Sequence, residues 1–346
     1  MLYITTRNSV DTYTAARALQ EERAPDGGAY MPYRLPELTQ DEIVEMENKG
    51  FAQTVADLLN KFFSCRITSW DVEVSAGKNP VLIQELKQRT YVAELWHNPS
   101  WEYSNLEKSL FLVTTQQVSN VRNVGWTRIA IRVAVLFGLY AQLAQTDALD
   151  DGKGFDICVP TGDFMAAISV WYARHMGLPV VNILCGCNDN SAVWELLHIG
   201  EVHTDAPVVQ TVAPLCDFAI PQELERLICV CCGHDEAERF AQHCAAEEDY
   251  VLPTGMLDRV RQGMFAAVVS SDRLRSLMPT VYSTTGYILG PYTALSYGAL
   301  LDFRARFGGR RPALLLGDRS PLVDVATVSS AMGMTQSAVK EILGVI

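Results

Sequence analysis

The pattern of hydrophobic and polar positions divides the chain into a helical first part and a later part that alternates strands with helices. Residues 51–63 carry apolar side chains at helical spacing, which predicts a helix with one face on a core. Shortly before, Thr39 and Glu42 have the spacing of a capping box, which predicts a helix start there. The first ninety residues are therefore expected to be mainly helical.

From about residue 91, short apolar runs with β-forming residues are followed by helical patterns. Residues 155–159 predict a buried strand that ends in a tight loop, and a helix follows over 164–176. A second strand is predicted over 180–184. This order is a βαβ unit, which implies parallel strands joined by a right-handed crossover.

The C-terminal half continues in the same way, and the whole pattern predicts an α/β fold with a mostly parallel sheet flanked by helices. A further strand is expected over 313–316, before two C-terminal helices that begin near Pro321 and after Thr335. The other helices are predicted over residues 221–231, 235–246, 254–268 and 291–306.

Composition narrows the function classes. The 346 residues are 49% hydrophobic and 20% charged, as in a globular protein, and the net charge is −12. Such a charge disfavours nucleic acid and anionic membrane surfaces as partners. The apolar run 129–143 is shorter than a membrane span and contains Arg132 and Gln142. The N-terminus has no signal-peptide pattern, so a cytoplasmic location is expected.

The nine cysteines are expected to be reduced and buried. Their number is odd, and Cys229, Cys231 and Cys232 lie in an apolar run. These three, and the pair Cys185 and Cys187, could be imagined as zinc ligands. The buried-core interpretation is favoured, and no metal is expected.

Two loops follow predicted strands, at the sheet edge where open parallel sheets bind ligands. They are residues 160–163 and 317–320. Asp163 either caps the next helix or contributes, with Asp318 and Arg319, to a new small-ligand site. His97 is interpreted as a structural histidine rather than a base, because no nucleophile or acid can be assigned to it.

Six segments along the chain resemble the threonine synthase family, a group of pyridoxal-phosphate enzymes with the fold of the tryptophan synthase β chain. The resemblance implies that fold, and a lyase of amino-acid biosynthesis that acts on O-phosphohomoserine. The segments occur in the family's order and are 3–7, 24–32, 159–179, 188–189, 217–226 and 290–294.

The departures from the family pattern concern the cofactor. Ser104 stands where the family has the lysine that binds the cofactor, and a hydroxyl cannot form a Schiff base. The phosphate loop is reduced to Thr161 and Gly162, followed by Asp163. Asp318 stands where the family has a hydroxyl facing the pyridine nitrogen. These residues and His97 are therefore degenerate cofactor-binding positions.

The family's small domain, with its substrate loop, is expected to be absent. Three regions are predicted: a helical region over 1–90, a remnant of the lysine segment and junction over 91–124, and a large α/β domain over 125–346. Loss of a domain would leave apolar surface uncovered. A homo-oligomer or a partner protein is expected to cover it.

The sequence thus predicts a threonine synthase-like pseudoenzyme without cofactor, which acts by binding or assembly. A small anionic or amino-acid ligand fits this hypothesis. The alternative is an active pyridoxal-phosphate lyase in which Lys108 has replaced the lost lysine. Lys108 lies one helical turn after Ser104, on the same face if a helix runs there.

Overall fold

The structure is a computed structural model that describes most of the chain. Among the predicted site residues, His97, Ser104 and Asp163 lie outside the described residues. The described residues are 1–78, 80–96, 105–122, 124–146, 148–149, 154–162 and 164–344.

The N-terminal region combines a small antiparallel sheet with helices. Strand β1 (Leu2–Thr5) lies between β2 (Tyr13–Thr14) and β3 (Tyr30–Pro32), and the short helix α1 (Ala15–Ala18) follows β2. The expectation of a mainly helical region missed these strands. They have two to four residues each, too few for alternation of polar and apolar residues to register.

The predicted capping box begins a long helix, α2 (Gln40–Phe63). The Thr39 side chain accepts from the amide of Glu42, and the Glu42 carboxylate accepts from the amide of Thr39. Gly50 has φ of +74° and kinks the helix. The prediction of a helix over 51–63 is confirmed.

A six-stranded sheet forms the centre of the molecule. Its order is β10-β7-β6-β11-β5-β4, and every neighbouring pair is parallel except β4 with β5. Strands β8 (Glu201–Val202) and β9 (Tyr250–Val251) form a separate two-stranded sheet. The predicted α/β fold with a mostly parallel sheet is confirmed. The strands of the large sheet are β4 (Leu82–Glu85), β5 (Thr90–Glu94), β6 (Phe155–Pro160), β7 (Val180–Cys187), β10 (Met264–Val268) and β11 (Ala313–Gly317).

Helices cover the sheet on both faces. They include α3 (Ser69–Ala76), α4 (Asn105–Gln117), α5 (Gly125–Ala144), α6 (Met165–His175), α7 (Ala192–His198), α8 (Leu224–Cys232), α9 (His234–Ala246), α10 (Leu257–Val260), α11 (Ser271–Thr285), α12 (Pro291–Phe307), α13 (Val325–Met332) and α14 (Gln336–Ile342).

Helix α5 is the central core helix and packs against α2 and α6. It extends beyond the predicted run 129–143 and is long and apolar enough to cross a membrane, but most of it is buried within the fold. At Gly138 the helix meets Phe51 and Val55 of α2 so closely that a Cβ would clash with their side chains. The apolar run is therefore explained by burial.

One predicted helix is wrong. Residues 254–268 contain the single turn α10 and then β10, which pairs in parallel with β7 at the sheet edge. A short apolar run such as that of β10 cannot be assigned to a helix or a strand by periodicity alone. Helix α11 follows in a stretch for which no element was predicted.

Between β5 and α5, the described residues hold a single element, α4. The division of the chain at residues 90 and 124 stays a prediction.

Candidate functional site

A cavity of about 390 Å³ opens where strands β6 and β11 end. These strands are neighbours, so the loops that follow them, which the sequence analysis singled out, meet at one edge of the sheet. Helices α5, α6 and α12 and the segment before α8 contribute the rest of the lining. The charged and aromatic side chains that line the cavity are those of Arg128, Arg132, Phe218, Tyr292, Asp318 and Arg319.

A chain of ion pairs crosses one side of this cavity. The carboxylate of Glu107, on α4, accepts hydrogen bonds from Nε of Arg128 at 2.8 Å and from Nε of Arg132 at 3.0 Å. The Nη1 atom of Arg132 also contacts Oδ2 of Asp318 at 3.0 Å. Arg132 thus joins α4 to the end of β11.

Glu107 is ionised at neutral pH although its side chain is buried. Burial acts to raise the pKa of its carboxyl, but the attraction of Arg132 and Arg128 outweighs it, so the pKa lies below its ordinary value. Glu107, Arg128 and Arg132 were not predicted from the sequence as site residues. The available signal was the pair of arginines four residues apart on a helix that is otherwise apolar.

The backbone amides of the loop after β6 donate hydrogen bonds to other atoms of the protein. The amide of Thr161 donates to the carbonyl of Gly186 at 3.0 Å, and the amide of Gly162 donates to Sγ of Cys216 at 3.3 Å. The amide of Phe164 donates back to the carbonyl of Thr161 at 2.6 Å. These three described amides are therefore already paired with protein acceptors.

A hydrogen-bonded network fixes the segment that covers this loop. Nδ2 of Asn188 donates to Asp217 at 2.6 Å and to Thr211 at 2.9 Å. The Asp217 carboxylate also accepts from the amide of Thr211. The amide of Leu215 donates to the hydroxyl of Tyr292 at 3.3 Å. Cys216 is thereby held against Gly162.

The structure brings some of the predicted site residues together. Thr161, Gly162, Asp318 and Arg319 lie at the same strand ends, and Nε of Arg319 pairs with Asp324 at 2.9 Å. His97, Ser104 and Asp163, which were also predicted as site residues, lie outside the described residues.

Lys108 is exposed on α4, whereas the preceding residue, Glu107, is buried and paired with Arg128 and Arg132. The chain has seven lysines. Among the six that the structure describes, none lines this cavity.

All nine cysteines are free thiols. Within the described ranges, no three side chains of His, Cys, Asp or Glu are grouped so that they could hold a metal ion.

In the described part of the site, which leaves out residues 97–104 and Asp163, the residues are not arranged to hold pyridoxal phosphate in the manner that the resemblance implies. The amides of Thr161 and Gly162, which would belong to the phosphate loop, are bonded to protein acceptors. Asp318, which the resemblance places opposite the pyridine nitrogen, is paired with Arg132. No described lysine lines the cavity to form the covalent link.

Comparison with known proteins identifies the relationship. A family model described as "Threonine synthase N terminus" matches residues 2–76. The chain is similar in sequence to the threonine synthases. The resemblance predicted from the sequence is confirmed, whereas the proposed degeneration of the cofactor site stays a prediction.

Solved structures of threonine synthases share the fold of this chain. The threonine synthase from Brucella melitensis, whose structure is described as bound to PLP, superposes with a TM-score of 0.82 at 19% identity, over 96% of this chain and 92% of that one. The yeast threonine synthase superposes with a TM-score of 0.81 at 15% identity, over 96% and 90% of the two chains. These similarities establish the fold.

Relatives found by sequence match only part of this chain. "Threonine synthase-like 1" from Homo sapiens is 24% identical over 183 residues, which is 52% of this chain and 24% of that protein. The threonine synthase of Eremothecium gossypii is 23% identical over 237 residues, which is 62% of this chain and 46% of that protein. The matches thus span about a quarter to a half of the length of these relatives.

Proposed function

We propose that this threonine synthase-like protein is a pseudoenzyme that binds a small anionic ligand in the cavity at the ends of β6 and β11. The observation that carries the proposal is the bonding of the Thr161 and Gly162 amides to Gly186 and Cys216. Amides that are already paired cannot hold a phosphate group without breaking those bonds.

Charge and size support an anionic ligand. Arg128, Arg132 and Arg319 all line the cavity. Each is ion-paired within the protein, but an arginine carries five N–H donors and is suited to bind a further carboxylate or phosphate group. The aromatic rings of Phe218 and Tyr292 add apolar wall. A volume of about 390 Å³ lies within the range of small-molecule sites. Amino acids that carry an acidic group share this chemistry. Nine free thiols agree with a location in the reducing cytoplasm.

The first experiment tests for the cofactor. Purified full-length protein is incubated with pyridoxal phosphate, its visible spectrum is recorded, and borohydride reduction is followed by peptide mapping. We expect no yellow species and no pyridoxyl-lysine. A yellow protein with one labelled lysine would overturn the pseudoenzyme proposal. A label on Lys108, abolished by Lys108→Ala, would establish the alternative of a lyase with a relocated lysine.

The second experiment tests for the anion. Thermal unfolding is measured with inorganic phosphate, sulfate, aspartate and O-phosphoserine. A ligand at a hundred times its Kd stabilises the folded state by about 2.7 kcal/mol. We expect Arg319→Gln to reduce the stabilisation. Arg275→Gln, at an exposed arginine on α11, should leave it unchanged. If none of the four probes stabilises the wild type, the anionic-ligand proposal is wrong.

We further propose that the protein self-associates through helices α3 and α4. Three large apolar side chains on these two packed helices are exposed: Trp70 (67%), Val74 (65%) and Leu112 (60%). Trp70 and Val74 are four residues apart and share one face of α3. Light scattering should show an oligomer that Trp70→Ser with Val74→Ser dissociates. A strictly monomeric wild type would contradict this proposal.

A further inference from the structure

A thiol, a thioether and an imidazole meet where helices α8 and α9 pack on the N-terminal sheet. Sγ of Cys229, on α8, lies 3.7 Å from Sδ of Met31 on β3. The same sulfur lies 3.5 Å from Nδ1 of His234, the first residue of α9. Cys229 is 4% exposed, and the other two residues are half-buried.

The three groups are gathered at one end of the ladder between β1 and β3. Nδ1 of His234 lies 2.9 Å from the carbonyl oxygen of Thr5, and Thr5 pairs with Tyr30, the neighbour of Met31. The Thr5 carbonyl of β1 therefore holds the imidazole of α9 close to the position on β3 that carries the thioether. None of the three residues lines the cavity at the ends of β6 and β11.

The distances suit a single small metal ion. Sulfur and nitrogen ligands lie about 2.3 and 2.0–2.1 Å from a bound zinc ion, and with similar bond lengths the 120° angle of a three-coordinate site separates ligand atoms by about 3.8–4.0 Å. Both separations measured from Cys229 are shorter than this by only about 0.3 Å, so small side-chain movements would open the site. A thioether is a soft ligand that favours copper(I) over zinc, so the donor set discriminates between these metals.

We propose that Cys229, Met31 and His234 form a copper(I) site. Binding replaces the thiol proton of Cys229 with the Cu–S bond and releases that proton to solvent. Because a carbonyl can only accept, Nδ1 of His234 carries a proton in the metal-free protein. That proton moves to Nε2 when Nδ1 binds the metal, and the Thr5 hydrogen bond is given up. No electron is transferred.

The test is a competition for copper(I) between the reduced full-length protein and a chromophoric copper(I) chelator under anaerobic conditions. We expect one ion per chain in the tightest site. Met31→Leu keeps the volume and apolar character of the side chain but removes the sulfur, and His234→Gln removes the imidazole. Each should weaken binding about tenfold or more.

Other thiols also bind copper(I), so a matched control is needed. Cys231→Ser removes a thiol from the same helix, two residues from Cys229, and should leave the tightest site unchanged. Circular dichroism confirms that each variant folds. If Cys229→Ser fails to fold, Met31→Leu still decides the question, because leucine is tolerated at methionine positions.

X-ray absorption of the copper(I)-loaded wild type supplies a second readout. We expect two sulfur atoms and one nitrogen around copper, and loss of one sulfur in Met31→Leu. Equal affinity of the wild type, Met31→Leu and His234→Gln would overturn the proposal. An absorption spectrum with thiolate sulfur alone would do the same.

Discussion

The ion-pair chain of Glu107, Arg132 and Asp318 makes a quantitative prediction about stability. Arg132→Leu removes the guanidinium that joins the two carboxylates, and the side chains involved are 12%, 8% and 17% exposed for Arg132, Glu107 and Asp318. Removing one partner of a buried ion pair costs about 3–5 kcal/mol. Because Glu107 keeps Arg128, we expect a loss near the lower end, about 3 kcal/mol.

A double-mutant cycle separates this coupling from the loss of packing. Glu107→Leu, Arg132→Leu and the double variant are compared, and the two losses should not add. Groups in one network typically show an interaction energy of about 0.5–3 kcal/mol. Arg275→Leu, at an exposed arginine paired with Asp272, is the matched control and should change stability by less than about 0.5 kcal/mol.

The same network predicts a pH dependence. The pKa of Glu107 is lower in the folded protein than its ordinary value of 4.5, so the ionised carboxylate favours the folded state. Its contribution is complete above pH 4.5 and is lost as the pH falls through the lower, folded pKa. The stability difference between wild type and Glu107→Gln should therefore be full at pH 7 and shrink below pH 4.5.

Urea unfolding at pH 7 and at several lower values measures both effects. The reasoning is refuted if Arg132→Leu costs less than about 1 kcal/mol, or if the single losses add in the double variant. A Glu107→Gln difference that grows as the pH falls below 4.5 would contradict the assigned direction of the pKa shift.

Three further predictions concern single positions. Gly186→Ala should cost about 3 kcal/mol in urea unfolding, because its Cβ would collide with the backbone carbonyl of Leu295; a loss below 1 kcal/mol would contradict this. Thr39→Ala should cost about 1 kcal/mol through the lost helix cap, and an unchanged melting curve would refute it. Burial raises the pKa of Glu94, although Tyr287 donates to its carboxylate at 2.8 Å. A carboxyl whose pKa is raised by folding stabilises the folded protein at pH values below its ordinary pKa, and this stability is lost as the pH rises. Glu94→Gln should therefore be more stable than wild type at pH 7 but not below pH 4.5.

Prediction of the fold succeeded where local pattern and burial agree. The capping box at Thr39 and the strand–loop–helix around residues 155–176 are local features, and both were found as expected. Strand β10 was mistaken for helix because a buried strand and a buried helix segment share the same continuous apolar composition. Only its pairing with β7 distinguishes them.

Prediction of the site was partial for a similar reason. The two loops were located because the carboxyl ends of parallel strands meet at one edge of the sheet. The residues that contact those loops were not predicted, because Glu107 lies 211 positions before Asp318 and is joined to it through Arg132. The contact between Cys216 and Gly162 likewise joins distant segments.

The sequence by itself determined the α/β class and the relationship to the threonine synthases, because periodicity, caps and motifs are properties of neighbouring residues. Tertiary structure alone decided which groups face one another. It buried Glu107 beside two arginines, exposed Lys108 next to it, and placed Cys229 against Met31. These contacts depend on how helices and strands pack, and side-chain chemistry such as the ionisation of Glu107 follows from the charges and burial that packing creates.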